Sequence, residues 1–301
     1  MSFDLSKDFI SSYNNSKYQH FSNGRSANLA ACMTKPGVWI CGKNSFMYLK
    51  QKDILNKYGI SLLGIDEEVL YSLKNLKTII RDKKIEGVCF EVPCSYLNER
   101  NPFDFYNISK DFSFRQITDY LAKKNILTYI DGARLLIYSL LEKTYIDNID
   151  FISIGLDKSL SNFSFLGSYM YINNNKYIPI IKKNRKMIGG YIRKYNFDIT
   201  KLKEAISKQK KVISSNHLEL KNVTQLLRSI GCNVDFSTNC IRIEIKSTQT
   251  PVLITKLNEA KIRFTHNENT FQFYFDLSLD INEFNNILHH FKEVFLCLNY
   301  F

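Results

Sequence analysis

The sequence predicts an α/β protein: a mostly parallel sheet covered by helices on both faces, followed by a smaller C-terminal α/β domain. Three observations carry this. Short apolar runs rich in β-formers alternate with longer segments of helical periodicity through the larger N-terminal part. The clearest unit, residues 126–158 (ILTYIDGARLLIYSLLEKTYIDNIDFISIGLDK), reads as strand, helix, strand. Beyond Gly231 the pattern changes to alternating half-buried strands, CIRIEI and TFQFYF, separated and followed by helices. The expected division is 1–199 for the large domain and 200–301 for a helical connection with the small domain.

Each element has its own reason. Residues 1–20 are polar and aromatic with weak periodicity, and suit a short helix or a flexible start. Ser22 or Asn23 can cap a helix over the small and apolar residues that follow. GVWIC (37–41), ISLLGI (60–65) and GVCFEV (87–92) read as buried strands, and Pro93 ends the last of them. Residues 44–58, 66–81 and 112–125 carry helical periodicity, and 95–111 is a polar connection. The strand over 167–172 follows its predecessor without a helix between them, which favours antiparallel pairing. Residues 178–188 are basic and apolar. Residues 200–229 are helical with an expected break at Ser214-Ser215-Asn216, and Gly231 ends them. The tail reads as a βαβα-like unit with helices over 252–260 and 282–298.

Composition narrows the function. A hydrophobic content of 45% and an aromatic content of 14% exclude general disorder. The net charge of +12 and pI near 9.2 invite a nucleic-acid reading. The lysines are scattered, however, and the one dense basic run, KKNRKMIGGYIRK at 182–194, holds no aromatic-interleaved recognition motif. Nucleic acid is therefore not an expected partner. Seven cysteines without CxxC spacing indicate neither a disulfide framework nor a zinc site, and a reducing cytoplasm fits best. The histidines form no helical metal pair, so no metal is expected. No apolar run reaches membrane-spanning length, and the polar start MSFDLSKDF is not a signal peptide.

Asp131 sits where the 126–130 strand would end, and Lys158 follows the strand Phe151–Gly155. Both are thus expected on the carboxyl rim of the sheet, where open parallel sheets bind ligands. An acid and a lysine presented this way suit pyridoxal 5'-phosphate (PLP): the lysine forms the Schiff base and the carboxylate pairs with the protonated pyridine nitrogen. A turn aspartate and a solvated lysine are the plainer reading of the same spacing. Gly24, before a helix, would let backbone N–H groups approach a phosphate; a simple helix cap is the plainer reading there too.

Several of these stretches occur together in the order and approximate spacing of one family. The chain resembles the L-threonine aldolases, within the β-eliminating lyase group of fold-type-I PLP enzymes. DGAR at 131–134 matches that family's DGAR, and FISIGLDK matches the strand leading to its Schiff-base lysine. RKMIGGYIR at 185–193 resembles RKxxGGGMR, FSNGRSAN at 21–28 resembles the phosphate-loop pattern PSGTxAN, and Thr238-Asn239 resembles a C-terminal TN motif.

The resemblance implies a fold-type-I, mostly parallel seven-strand sheet and PLP as cofactor. It implies Lys158 as the Schiff-base residue, Asp131 as partner of the ring nitrogen and Arg134 as clamp for the substrate carboxylate. Gly24 and Arg25 through their backbone, with Ser26, would cradle the phosphate. Phe46 falls near the family's ring-stacking histidine, so it could stack on PLP without moving a proton. Arg193 matches an arginine that helps complete a site formed at a dimer interface. A homodimer or homotetramer acting on a small amino acid is thus implied.

The chain also departs from the family. Only about twenty residues precede the phosphate-loop stretch, several dozen fewer than in the family. The Ser/Thr-Lys-Gly at the lysine becomes Asp157-Lys158-Ser159, which puts an anion where a hydroxyl would donate to phosphate. Arg25 adds a cation that compensates in charge. A substrate-binding arginine of the tail becomes Gln272. Two functions follow: a PLP-dependent lyase cleaving or forming the Cα–Cβ bond of a small β-hydroxy-α-amino acid, or a degenerate homologue serving as a partner subunit or binding protein.

Overall fold

The computed structural model describes residues 3–4, 17–92, 114–141, 145–146, 148–157, 160, 166–191, 199–237, 240–267, 269–277 and 279–298. Lys158, Arg193, Thr238-Asn239 and the 95–111 connection lie outside the described residues.

In chain order the first unit holds β1 (Tyr18–Phe21), α1 (Gly24–Cys32), β2 (Gly37–Gly42), α2 (Phe46–Asn56) and β3 (Ile60–Ile65). Next come α3 (Glu67–Leu70), α4 (Leu73–Asp82), β4 (Gly87–Glu91), α5 (Phe114–Lys123) and β5 (Leu127–Gly132). It continues with α6 (Leu135–Leu141), β6 (Phe151–Gly155), β7 (Ser168–Ile172) and α7 (Ile178–Met187). The seven strands form one sheet in the order β1-β7-β6-β5-β4-β2-β3. All neighbours among β3, β2, β4, β5 and β6 pair in parallel. The strand β7 runs antiparallel to both β6 and β1, as its short connection requires.

Both faces of this sheet are buried, which is why its strands read as near-continuous apolar runs. On one face Trp39, Cys89, Tyr129 and Phe151 pack against α1, α2 and α7. The small residues Ala27, Ala30 and Ala31 bring α1 close to the strands. On the other face Phe90 meets Phe114 edge-on at 4.9 Å and Tyr71 at 5.8 Å.

Three expectations need correction here. Residues 18–21 are neither helix nor flexible start but the edge strand β1, which pairs with β7 from Tyr18↔Tyr171 to Phe21↔Ser168. The 66–81 segment is two helices, because the Ser72 hydroxyl accepts the Asn75 N–H and restarts the helix. The strand β5 extends through Asp131 to Gly132, so the acid lies within the last ladder pairs, opposite Glu91 and Ser153.

The chain divides into two units, Met1–Lys203 and Glu204–Phe301, with the division inside α8 (Ile199–Ser229). The second unit holds the rest of α8, then β8 (Asn233–Ser237), β9 (Cys240–Glu244), α9 (Thr250–Glu259), β10 (Thr265–Asn267), β11 (Thr270–Tyr274) and α10 (Ile281–Leu298). Its sheet is antiparallel throughout, in the order β8-β9-β11-β10, with two strands beyond the βαβα expectation. Phe273 packs edge-on against Phe291 and Phe295 of α10.

The expected break in α8 is absent. Asn216 is fully buried, and its Nδ2 donates to the carbonyls of Leu277 and Leu279 at 3.1 and 2.9 Å. Its amide therefore does not compete with the helix backbone, and the helix runs on.

Candidate active site

The site is built where the carboxyl ends of β4, β5 and β6 meet the starts of α1 and α2. Asn23 caps α1 with an extended backbone (φ −164°), its Oδ1 accepting the Ser26 N–H at 2.8 Å and its carbonyl the Ala27 N–H at 3.3 Å. The Ser26 hydroxyl donates back to the Asn23 carbonyl at 2.9 Å. Of the first-turn amides, those of Gly24 and Arg25 have no acceptor among the described residues. A Cβ placed on Gly24 would meet nothing within 4 Å, so the mouth of the helix is open.

The GG stretch of the basic segment closes against this turn. The Ser22 N–H donates to the Gly190 carbonyl at 2.9 Å. A side chain at Gly190 would press on Phe21 and on Ser26 Cβ, both at 3.2 Å. Arg185 fixes the same corner, its Nη1 donating to the His20 carbonyl at 2.7 Å and its guanidinium lying 5.0 Å from the Tyr191 ring. Two stretches more than 150 residues apart, FSNGRSAN and RKMIGGYIR, thus meet at one place.

Glycine is needed where β5 and β6 end. A Cβ on Gly132 would lie 2.4 Å from the Ser153 carbonyl oxygen, and one on Gly155 would lie 2.6 Å from that of Ala133. The DGA turn therefore crosses β6 at a distance that excludes any side chain, and this fixes Asp131 just before it. Arg134 follows, half-buried, its carbonyl accepting the Tyr138 N–H at the start of α6.

Asp131 is a buried carboxylate within a set of buried polar side chains. Asn28, one turn into α1, donates from Nδ2 to Asp131 Oδ2 and to Gln51 Oε1, both at 2.7 Å. The Tyr129 hydroxyl donates to Asn28 Oδ1 and lies 2.7 Å from the Ser153 hydroxyl. Gln51 Nε2 donates to the Arg25 carbonyl at 3.1 Å. All five side chains are 5% exposed or less. Burial, with Asp131 nearby, pushes the Cys32 and Cys89 thiols and the Tyr129 phenol well up, and burial takes Cys41 to about 12. These groups are accordingly neutral near pH 7.

Phe46 begins α2, half-buried, and its N–H donates to Glu91 Oε2 at 2.6 Å. The exposed Arg25 places its guanidinium 5.4 Å from the Phe46 ring centroid. The structure therefore brings together Gly24, Arg25, Ser26, Phe46 and Asp131. Asp157 is exposed just after β6. Gln272 lies on β11 in the second unit, paired in register with Arg242.

Sequence reasoning gave no role to Asn28, Gln51, Tyr129, Ser153 or Glu91. A signal was present for some. Asn28 and Gln51 stand on the apolar faces of their helices, with Gln51 between Met47 and Leu55 at four-residue spacing, and Tyr129 shares strand parity with Asp131. A polar group on a core face must find a partner there.

No protein-family model matches the chain, and no curated protein matches it in sequence. Solved structures do. A protein provisionally named an L-allo-threonine aldolase, from Listeria monocytogenes, matches with a TM-score of 0.71 and 15% identity over 98% of this chain and 86% of that one. The threonine aldolase of Leishmania major matches with a TM-score of 0.67 and 13% identity, over 92% and 84%. The histidinol-phosphate aminotransferase of Clostridium acetobutylicum matches with a TM-score of 0.68 and 15% identity, over 96% and 90%. The chain accordingly has the fold of the fold-type-I PLP enzymes, threonine aldolases among them.

Proposed function

We propose that this protein is a PLP-dependent lyase of threonine-aldolase type, which cleaves or forms the Cα–Cβ bond of a small β-hydroxy-α-amino acid. The observation that supports it most is the Asn28–Asp131 contact. Asn28 lies four residues beyond Gly24, about 6 Å along the helix axis. A buried carboxylate therefore sits roughly one helical turn below an open pair of backbone donors. That spacing suits a ring with a phosphate at one end and a basic nitrogen at the other.

PLP, when bound, supplies an electrophilic carbon for amines and a ring that accepts electron density. The protein's own groups do the rest. The Gly24 and Arg25 amides hold the phosphate at the positive end of α1, and the Arg25 side chain adds charge against Asp157. Asp131 holds a proton on the ring nitrogen as an ion pair in a site shielded from water. Phe46 would offer a ring face for stacking, Lys158 would hold the cofactor at its electrophilic carbon, and Arg134 would bind the substrate carboxylate as a planar pair. Arg193 completes the site in a homo-oligomer.

One observation favours a second reading, a homologue that keeps the fold without turnover. The position of the expected stacking histidine is Phe46, which carries no titratable proton for the substrate hydroxyl. A visible spectrum of the protein with PLP, before and after borohydride, followed by peptide mapping, separates the two. A band that reduces onto Lys158, with turnover of β-hydroxy amino acids, supports the lyase. PLP lost on desalting overturns it in favour of a binding role.

A further inference from the structure

The polar side chains beneath α1 have a direction. The Arg25 carbonyl oxygen can only accept, so Gln51 must turn Nε2 toward it and Oε1 toward Asn28. Asn28 must then present Nδ2 to Gln51 and to Asp131, leaving Oδ1 to accept from Tyr129. The Tyr129 phenol is fully buried and stays an O–H donor. The Ser153 hydroxyl, 3.4 Å from the Ile130 carbonyl, completes the set. Each amide is oriented from both sides, and the orientation starts from a backbone atom that does not titrate.

The consequence falls on Asp131. An N–H fixed on Oδ2 stabilises the carboxylate against the desolvation that favours its neutral acid. Among the described residues, the titratable groups near it include Cys32 on α1, Cys89 and Glu91 on β4, and Tyr129 on its own strand.

We infer that Asn28 is a positioning residue: oriented by Gln51 and Tyr129, it holds Asp131 as an anionic acceptor aimed at the ring nitrogen of PLP. The part concerning PLP rests on the proposed function; the hold on Asp131 does not. The same chain of bonds links the two ends of the site, because Gln51 is anchored on the carbonyl of Arg25, whose amide faces the phosphate position.

The test uses the full chain with aspartate carrying an NMR-active γ-carbon, Asp131 being assigned by the signal lost in Asp131→Asn. Without cofactor, Asn28→Leu should raise the proton affinity of Asp131 about tenfold, one unit of titration midpoint. Tyr129→Phe, which leaves the Nδ2 contact, should raise it less. Gln51→Leu should shift it in the same direction and serves where Asn28→Leu fails to fold. With PLP labelled at the ring nitrogen, native protein should show a protonated nitrogen and Asn28→Leu a partly deprotonated one. An unchanged Asp131 midpoint in the folded variants overturns the inference, whether or not PLP binds. A raised midpoint in a protein that binds no PLP upholds the hold on Asp131 and overturns the proposed function instead.

Discussion

Two aspartates mark opposite rims of the same sheet, and their surroundings differ in kind. Asp150, just before β6 at the amino rim, accepts from the Thr128 N–H at 2.9 Å and from its hydroxyl at 3.0 Å. Both of these donors belong to one residue of the adjacent strand. Beside it lies a cavity of about 450 Å³ with Lys35, Asn125, Asn148 and Lys176 in its wall. These groups largely bond one another's neighbourhood: Lys35 is spent on Glu86 at 2.7 Å and on the Asn125 carbonyl at 2.9 Å, and Asn148 on Asp119. Asp131, at the carboxyl rim, is reached by Asn28 of α1, which is itself bonded to Gln51 of α2. A local clamp closes a connection. A network spanning separate elements fixes a group in space, which is what a cofactor site requires.

The largest expected effect separates the two acids by function. Asp131→Ala should weaken PLP binding by about 10- to 100-fold, the loss of one charge-assisted hydrogen bond of roughly 1.5–3 kcal/mol. Asp150→Ala should leave that affinity unchanged. Titration of each variant with PLP, followed by absorbance, checks both, and equal losses would erase the distinction.

The next effect tests why glycine ends β5. Gly132→Ala drives a Cβ into the Ser153 carbonyl, so the cost should be about 1–3 kcal/mol in a urea unfolding curve. Gly24→Ala meets open space and should leave stability within about 0.5 kcal/mol. Any loss of PLP affinity in Gly24→Ala would then report the mouth of α1 rather than the fold. If Gly24→Ala were the more destabilising of the two, the geometry assigned to both turns would be wrong.

How much of this was legible depends on the range of the interaction. The strand GVCFE matches β4 and FISIG matches β6, because a run of β-formers buried on both faces is a local signal. The rim position of Asp131 followed from the same logic. What could not be read is pairing between distant residues. The edge strand β1 is polar and aromatic, and only its ladder to β7 makes it a strand. Asn216 looks like a helix breaker until the carbonyls of Leu277 and Leu279 are known. Asn28 belongs to the stretch that resembles a phosphate loop, but its hydrogen bond is made 103 residues away on Asp131. Its place on the apolar face of α1 signals that it has a buried partner, but not which one.

A smaller effect separates cap from network at the start of α1. Asn23→Ala removes the acceptor for the Ser26 N–H and should cost about 1 kcal/mol, in the usual range for a lost cap. It leaves Asn28, Gln51 and Asp131 untouched, so the Asp131 titration midpoint should stay where it is. Thermal unfolding measures the first quantity and NMR titration the second. A shift in both would mean that the cap and the network are one device.

The smallest effect is a pH slope at the other rim. Burial pushes the Asp150 carboxyl up from its ordinary value, against the opposing pull of the Thr128 donors and Lys176. A carboxyl that binds protons more tightly folded than unfolded makes the native state take up protons on folding. Its contribution to stability is then present below the unfolded value near 3.8 and is lost as pH rises through the raised folded value. Asp150→Asn cannot titrate, so the native protein should show a downward slope of unfolding free energy with pH, just above the ordinary aspartate range, that the variant lacks. The comparison requires the difference between the two urea titrations, since other carboxyls titrate in the same window and cancel. An upward difference slope would mean that the Thr128 donors outweigh burial. Asp150 would then be stabilised as an anion, as we infer for Asp131, and the contrast between the rims would rest on connectivity alone.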